Sequence, residues 1–208
     1  MTIDDYILSH SDKEPDYLKR LLHEGNLRLS YGQMASGHLQ GRLLRMLVRM
    51  IRPQRILEIG TFTGYSAISM AEGLEPDGKV YTFEIDDELE DFTRPRIAQS
   101  GVADRIVFSI GDALVEAPRL GITFDMVFID GDKRQYADYY EMALGLTRTG
   151  GFILADNTLW YGHVLEAPRP SDRQTQSIQA FNDFVAADER VERVILPLRD
   201  GLTLIRKK

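Results

Sequence analysis

The sequence contains no cysteine, so neither a disulfide nor a thiolate metal centre can form. Any metal must be held by oxygen or by one of four histidines. Positive charge is in short supply: 25 Lys and Arg stand against 32 Asp and Glu, for a formal net charge of -7. The basic residues are scattered, which leaves no face to neutralise a nucleic acid backbone. An apolar run of about 18 residues, the least that spans a bilayer, is missing as well. The opening MTIDDYILSH carries acids where a secretory leader needs positive charge. These absences lead us to expect a cytoplasmic protein with no nucleic acid and no membrane partner. Two nucleotide signatures are also lacking. There is no GxGxxG, which argues against a dinucleotide fold, and no GxxxxGK[ST], which argues against a phosphate loop.

What is present fits one soluble globular domain over 1–208: hydrophobic residues make up 43% and charged residues 27%. No internal repeat, low-complexity segment or linker interrupts it. Residues 1–52 read as a helical N-terminal extension. Tyr6, Ile7, Leu8, Tyr17, Leu18, Leu21 and Leu22 give a partial helical face broken near Pro15, and Leu39, Leu43, Leu44, Leu47 and Ile51 mark a second helix that Pro53 stops. Residues 53–208 read as a Rossmann-like core. Short β-branched runs at 55–60, 79–86, 105–111, 124–131 and 150–157 alternate with helical periodicity near 65–74, 88–100 and 134–147. The C-terminal runs flanking Asp200-Gly201 carry a hairpin signal. The expected fold is therefore α/β: a doubly wound, mainly parallel seven-stranded sheet with an antiparallel C-terminal hairpin strand and helices on both faces.

In such sheets ligands bind beyond the carboxyl ends of the strands, and here those ends are polar. They read Glu58-Ile59-Gly60, Glu84-Ile85-Asp86, Gly111-Asp112, Asp130-Gly131-Asp132 and Asp156-Asn157. The turn Gly60-Thr61-Phe62-Thr63-Gly64-Tyr65-Ser66 is glycine-rich but has no following Lys, so it suits a ligand without phosphates that carries positive charge. Glu84, 24 residues after Gly60, stands where such folds place an acid on ribose hydroxyls, with Asp86 as the alternative. Asp112 and Ala113 fall where an adenine edge could be read. Asp130, Asp156 and Asn157 offer hard oxygen donors of the kind that hold Mg²⁺, Mn²⁺ or Ca²⁺. Residues 156 and 157 of a regular strand point to opposite faces, so both can ligate only if the chain turns there. Each feature also has an ordinary reading as a turn glycine, a helix cap or a solvated strand end.

Taken together, LEIGTFTGYS (57–66), FEID (83–86), GDAL (111–114), FDMVFIDGDKRQY (124–136), GGFILADNTLW (150–160) and LPLRDGLTLIR (196–206) resemble the metal-dependent O-methyltransferases. That family includes the caffeoyl-CoA O-methyltransferases and, more distantly, catechol O-methyltransferase. The resemblance implies S-adenosylmethionine as methyl donor, with its methionine part on the turn from Gly60 to Ser66, its ribose on Glu84 and its adenine near Asp112 and Ala113. It implies a divalent cation, Mg²⁺ first, on Asp130, Asp156 and Asn157, with Lys133 as the base and Trp160 in the substrate region. It also implies a homodimer acting on a hydroxylated aromatic small molecule. Glu84 stands where plant members have Asp, and Gly131 replaces a common Ala, which predicts a more flexible backbone before Lys133. The segment around His38 and the loop 162–175 depart from the family pattern, so the acceptor is what the resemblance leaves open. Two other readings compete: a protein that binds S-adenosylmethionine without catalysis, and a nicotinamide-dependent oxidoreductase, against which the missing GxGxxG counts.

Overall fold

The computed structural model describes residues 1–208, the side chain of Gln33 excepted. The chain begins with helices α1 (Ile3–Ser9), α2 (Asp16–Arg28) and α3 (Gly37–Ile51). It then alternates β1 (Arg55–Ile59), α4 (Tyr65–Ala71), β2 (Lys79–Glu84), α5 (Glu90–Ala98), β3 (Ile106–Ile110), α6 (Ala113–Arg119), β4 (Phe124–Ile129), α7 (Tyr136–Leu146) and β5 (Thr147–Asp156). It closes with α8 (Arg173–Ala187), β6 (Val191–Leu196) and β7 (Leu202–Lys207). Pro15, at the N-cap of α2, makes the break predicted in the N-terminal segment. Arg52 caps α3 in the left-handed region, and Pro53 cannot continue the helix.

The strands form one seven-stranded sheet in the order β3-β2-β1-β4-β5-β7-β6. The β1–β4, β2–β3 and β4–β5 pairs are parallel, and β7 runs antiparallel to both β5 and β6. This is the mixed, doubly wound sheet that the sequence predicts. Because β4 pairs with β1 although β2 and β3 intervene in the chain, the order reverses between β1 and β4. That reversal opens a crevice at the carboxyl ends of those two strands.

Contacts divide the chain into two compact units, Met1–Gln54 with Thr61–Ile110, and Arg55–Gly60 with Gly111–Lys208. In the first, α3 lies against α4 at Gly41, where an added Cβ would sit 2.8 Å from both Ser69 Oγ and Tyr65 Cε1. Only glycine permits that approach, and Leu44, Val48, Ile68 and Met70 are buried around it. In the second, Phe124, Met126, Val127, Phe128 and Ile129 of β4 and Ile153, Leu154 and Ala155 of β5 are buried. Parallel strands covered on both faces need such unbroken apolar runs, and each large side chain buried contributes about 1.5–3 kcal/mol. No helix among the described residues is long and apolar enough to cross a membrane.

Three features differ from the sequence expectation. The helix α8 was not among the predicted elements, yet its signal is present: Asp172 caps Thr175, and Thr175, Ile178, Phe181 and Val185 form the buried face. The short α6, with Pro118 near its end, also escapes periodicity over only 7 residues. The hairpin is wider than Asp200-Gly201 alone. Pro197 ends β6 early, and Arg199 and Gly201, both at positive φ, turn the chain before β7.

Candidate active site

In the first unit the glycine-rich turn is held by its own peptide groups. Glu84 closes β2 and is 7% exposed. Its Oε2 accepts from Phe62 N at 2.7 Å and its Oε1 from Asp86 N at 3.0 Å. A carboxylate has about four lone-pair sites, so acceptor capacity remains on both oxygens. Asp86 is exposed, and its Oδ1 is engaged by Glu88 N at 3.0 Å as the cap of a short turn. Glu84 is thus the buried acid of the pair, while the neighbouring Ile85 is largely exposed. Thr61 is buried and shares a hydroxyl–hydroxyl bond of 2.6 Å with Thr82. Tyr65 is buried and donates to Glu14 Oε1 at 2.6 Å, and burial pushes its phenol well above the ordinary value. Both side chains are therefore spent inside the protein, and contact with a ligand from these positions would come from the backbone. Ser66 is buried in the first turn of α4.

Gly64 has φ of 83°, and a Cβ there would press on Ile97 at 3.2 Å. In the second unit, Gly60 follows β1 with φ of 94°, and its Cβ would lie 2.4 Å from the carbonyl oxygen of Asp130. These glycines are required by the protein's own packing. Glu58 is fully buried in β1. Asp112 accepts from Leu114 N at 2.9 Å as the N-cap of α6, whose first residue, Ala113, is buried.

The carboxyl ends of β4 and β5, also in the second unit, carry a connected polar network. Lys133 Nζ donates to Asp130 Oδ1 at 2.8 Å and to Tyr136 Oη at 2.6 Å, and Tyr136 Oη donates to the carbonyl of Asp156 at 2.9 Å. Tyr136 is fully buried and was not singled out in the sequence. Its signal is the three-residue spacing from Lys133, which a single 3₁₀ turn over Lys133–Gln135 places on one side. Burial pushes the Asp130 carboxyl up to about 6, a rise that the Asp156 carboxylate adds to and the Lys133 ammonium opposes. Burial also raises Tyr136 well above the ordinary phenol value, with Asp130 and Asp156 contributing. Asp200, on the loop before β7, is raised by burial and faces Asp156, Lys133 and Arg199 electrostatically.

The turn needed for Asp156 and Asn157 to act together is present. The strand β5 ends at Asp156, Asn157 adopts φ of 57°, and its N–H folds back onto Asp156 Oδ1 at 2.9 Å. No group of three His, Cys, Asp or Glu side chains that could hold a metal occurs among the described residues. What the second unit offers is two carboxylates and an amide, a wholly oxygen donor set whose chemistry fits a hard divalent ion. Trp160 and Tyr161 both adopt positive φ, a strained pair that leaves Tyr161 79% exposed on the loop after β5. At Gly131 an added Cβ would meet the Tyr139 ring at 3.0 Å, so close packing also favours a glycine there.

The sequence pattern of an O-methyltransferase family matches residues 8–208. A caffeoyl-CoA O-methyltransferase of Eucalyptus gunnii is 36% identical over 97% of this chain and 86% of its own. Among solved structures, an O-methyltransferase of tomaymycin synthesis from Streptomyces achromogenes, in complex with S-adenosylmethionine, superposes with a TM-score of 0.89 at 33% identity over 99% of this chain and 96% of its own. A Bacillus cereus O-methyltransferase in complex with S-adenosylhomocysteine gives 0.88 at 29% identity, over 99% and 97%. A family pattern covering nearly the whole chain, a relative above 30% identity over most of its length and a sheet of the same fold agree, and this chain belongs to the O-methyltransferase family of enzymes.

Proposed function

We propose that this enzyme transfers the methyl group of S-adenosylmethionine to one hydroxyl of a catechol-like or caffeoyl-like small molecule, with a divalent cation, and that 1–208 is one catalytic domain with 1–52 as its helical extension. The observation that carries the reading is the Asp130–Lys133–Tyr136–Asp156 network at the carboxyl ends of β4 and β5. The relatives solved with S-adenosylmethionine or its demethylated product support the donor.

Methyl transfer to oxygen needs a nucleophilic acceptor aligned with the methyl carbon, and alignment supplies much of the acceleration. S-adenosylmethionine would supply the electrophilic methyl, and a divalent cation on Asp130, Asp156 and Asn157 would lower the pKa of the acceptor hydroxyl. Glu84 binds the ribose diol with its remaining acceptor sites, and the backbone from Gly60 to Ser66 takes the methionine part. Asp112 and Ala113 border the adenine. Lys133, in its neutral amine form, takes the hydroxyl proton at Nζ and becomes the ammonium, and Asp130 and Tyr136 fix the position of that atom. Trp160 borders the acceptor. A screen of catechols and their singly hydroxylated analogues with labelled donor, with and without Mg²⁺, tests this. Labelled product from catechols alone is the expected result, and equal transfer to the monohydroxyl analogues would remove the catechol preference.

We also propose a homodimer. The α1 helix has no buried residue and leaves Ile3, Tyr6, Ile7 and Leu8 exposed, an apolar surface of the kind that associates. Sedimentation at micromolar concentration should show a species of twice the 23.7 kDa chain mass. A monomer would refute this.

A further inference from the structure

The turn residue Phe62 is the least comfortable point of the glycine-rich segment. It has φ of 47° without being glycine, a conformation that persists only where neighbours impose it. The peptide groups on either side of this residue are both engaged. The Phe62 N–H lies on Glu84 Oε2 at 2.7 Å, and the Phe62 carbonyl accepts from Thr93 Oγ1 at 2.5 Å. Thr93 belongs to α5, is fully buried, and sits 31 residues along the chain. A threonine inside a helix commonly turns its hydroxyl back on the carbonyl four residues earlier. Here the hydroxyl leaves its own helix to reach the turn.

The placement of α5 is itself secured from outside. Arg96 pairs with Glu24 of α2 at 2.6 Å and stacks on Phe92 at 3.6 Å, and Tyr17 of α2 donates to the Arg96 carbonyl. On the turn, Gly64 packs against Ile97 of the same helix. The Thr93 hydroxyl is therefore delivered by a braced helix, and it is the group that ties the strained residue to that brace.

We infer that Thr93 is a positioning residue for donor binding: by holding the Phe62 carbonyl it keeps the Phe62 N–H on Glu84, and so keeps that carboxylate oriented for a ribose diol. The inference rests on the reading of Glu84 as the ribose acid. Without the hydroxyl, the turn is free to rotate the Phe62 peptide groups toward a less strained conformation, and the Glu84 carboxylate loses the donor that fixes its rotamer. Valine preserves the volume and branching of Thr93 and removes only the hydrogen bond, whereas serine keeps the hydroxyl and loses a methyl.

The test is calorimetric binding of S-adenosylhomocysteine to wild type, Thr93→Val, Thr93→Ser and Glu84→Ala, with KM for donor and for acceptor measured on the same proteins. Thr93→Val should weaken binding about tenfold, the scale of one lost hydrogen bond to a fixed group. It should raise KM for the donor and leave KM for the acceptor unchanged. Thr93→Ser should bind within about twofold of wild type, a rescue that a purely space-filling role would not give, because serine fills the site less well than valine. If Glu84→Ala weakens binding and Thr93→Val does not, Thr93 has no positioning role. If Glu84→Ala binds normally, the ribose acid lies elsewhere and the inference falls with that reading.

Discussion

Lys133→Ala lowers kcat by roughly 10²–10⁴-fold while leaving donor affinity within about twofold of wild type, the usual consequence of losing a positioned general base. The expectation follows from where Nζ is held. The side chain is only 12% exposed, and its two partners, Asp130 at 2.8 Å and Tyr136 at 2.6 Å, leave it little rotamer freedom. A base so fixed has already lost the entropy that a mobile lysine would lose on reaching the acceptor. Activity of Lys133→Ala should recover in part as pH rises, because a phenolic acceptor with an ordinary pKa near ~10 then ionises unaided. Single-turnover methylation across pH distinguishes the outcomes. A normal kcat in the variant would assign the proton to solvent and leave Lys133 a structural partner of Asp130.

The same network shows why some of the site was legible in the sequence and some was not. Asp130, Lys133, Asp156 and Asn157 sit at the ends of apolar runs, and strand ends are readable from the run itself. Whether Asp156 and Asn157 point the same way was not readable, because it depends on Asn157 entering the left-handed region, a conformation that asparagine tolerates without requiring it. The glycines of the turn were readable as glycines, but the reason for them was not. Asp130 excludes a side chain at Gly60 and Ile97 excludes one at Gly64, and these partners lie 70 and 33 residues away in the chain. Thr61 and Tyr65 illustrate the opposite case, in which a motif position turns its side chain into the interior. Thr93 could not have been picked out, since its contact with Phe62 is one that only the folded chain creates, whereas Tyr136 carried no mark beyond its three-residue spacing from Lys133.

The parallel strands were the most legible part because β4 and β5 are covered on both faces and so carry the apolar runs 126–129 and 152–155. Edge elements follow other rules. The strand β6 leaves Val194 and Ile195 exposed after Glu192 and Arg193, and its length was set by Pro197 and not by hydropathy. The helix α5 has Phe92, Thr93 and Ile97 as its buried residues and Pro95 within it, a weak periodicity for a helix that packs against the glycine-rich turn.

Removal of divalent cations with EDTA should abolish methyl transfer, and Asp130→Ala should raise the Mg²⁺ concentration for half-maximal activity by more than about tenfold, with partial recovery in excess Mg²⁺. Asp130 and Asp156 interact closely enough for Asp156 to raise the Asp130 carboxyl, and the Lys133 ammonium and the Arg199 guanidinium oppose that rise. With Asp200, three carboxylates against the Lys133 ammonium and the Arg199 guanidinium leave the site short of positive charge, which a divalent cation would supply. Asp130 has two partners to lose, however, because its removal also frees Lys133. Asp156→Ala is the comparison: Lys133 Nζ bonds the Asp130 carboxylate and the Tyr136 hydroxyl, and Asp156 is the second carboxylate of the proposed cation site. If cation binding is the common cause, Asp130→Ala and Asp156→Ala shift the Mg²⁺ requirement alike, and Asp130→Ala also couples non-additively with Lys133→Ala in a double-mutant cycle. A Mg²⁺ requirement unchanged in both variants would move the cation to other residues. Full activity in EDTA would leave Lys133 and its partners to carry the reaction without a cation.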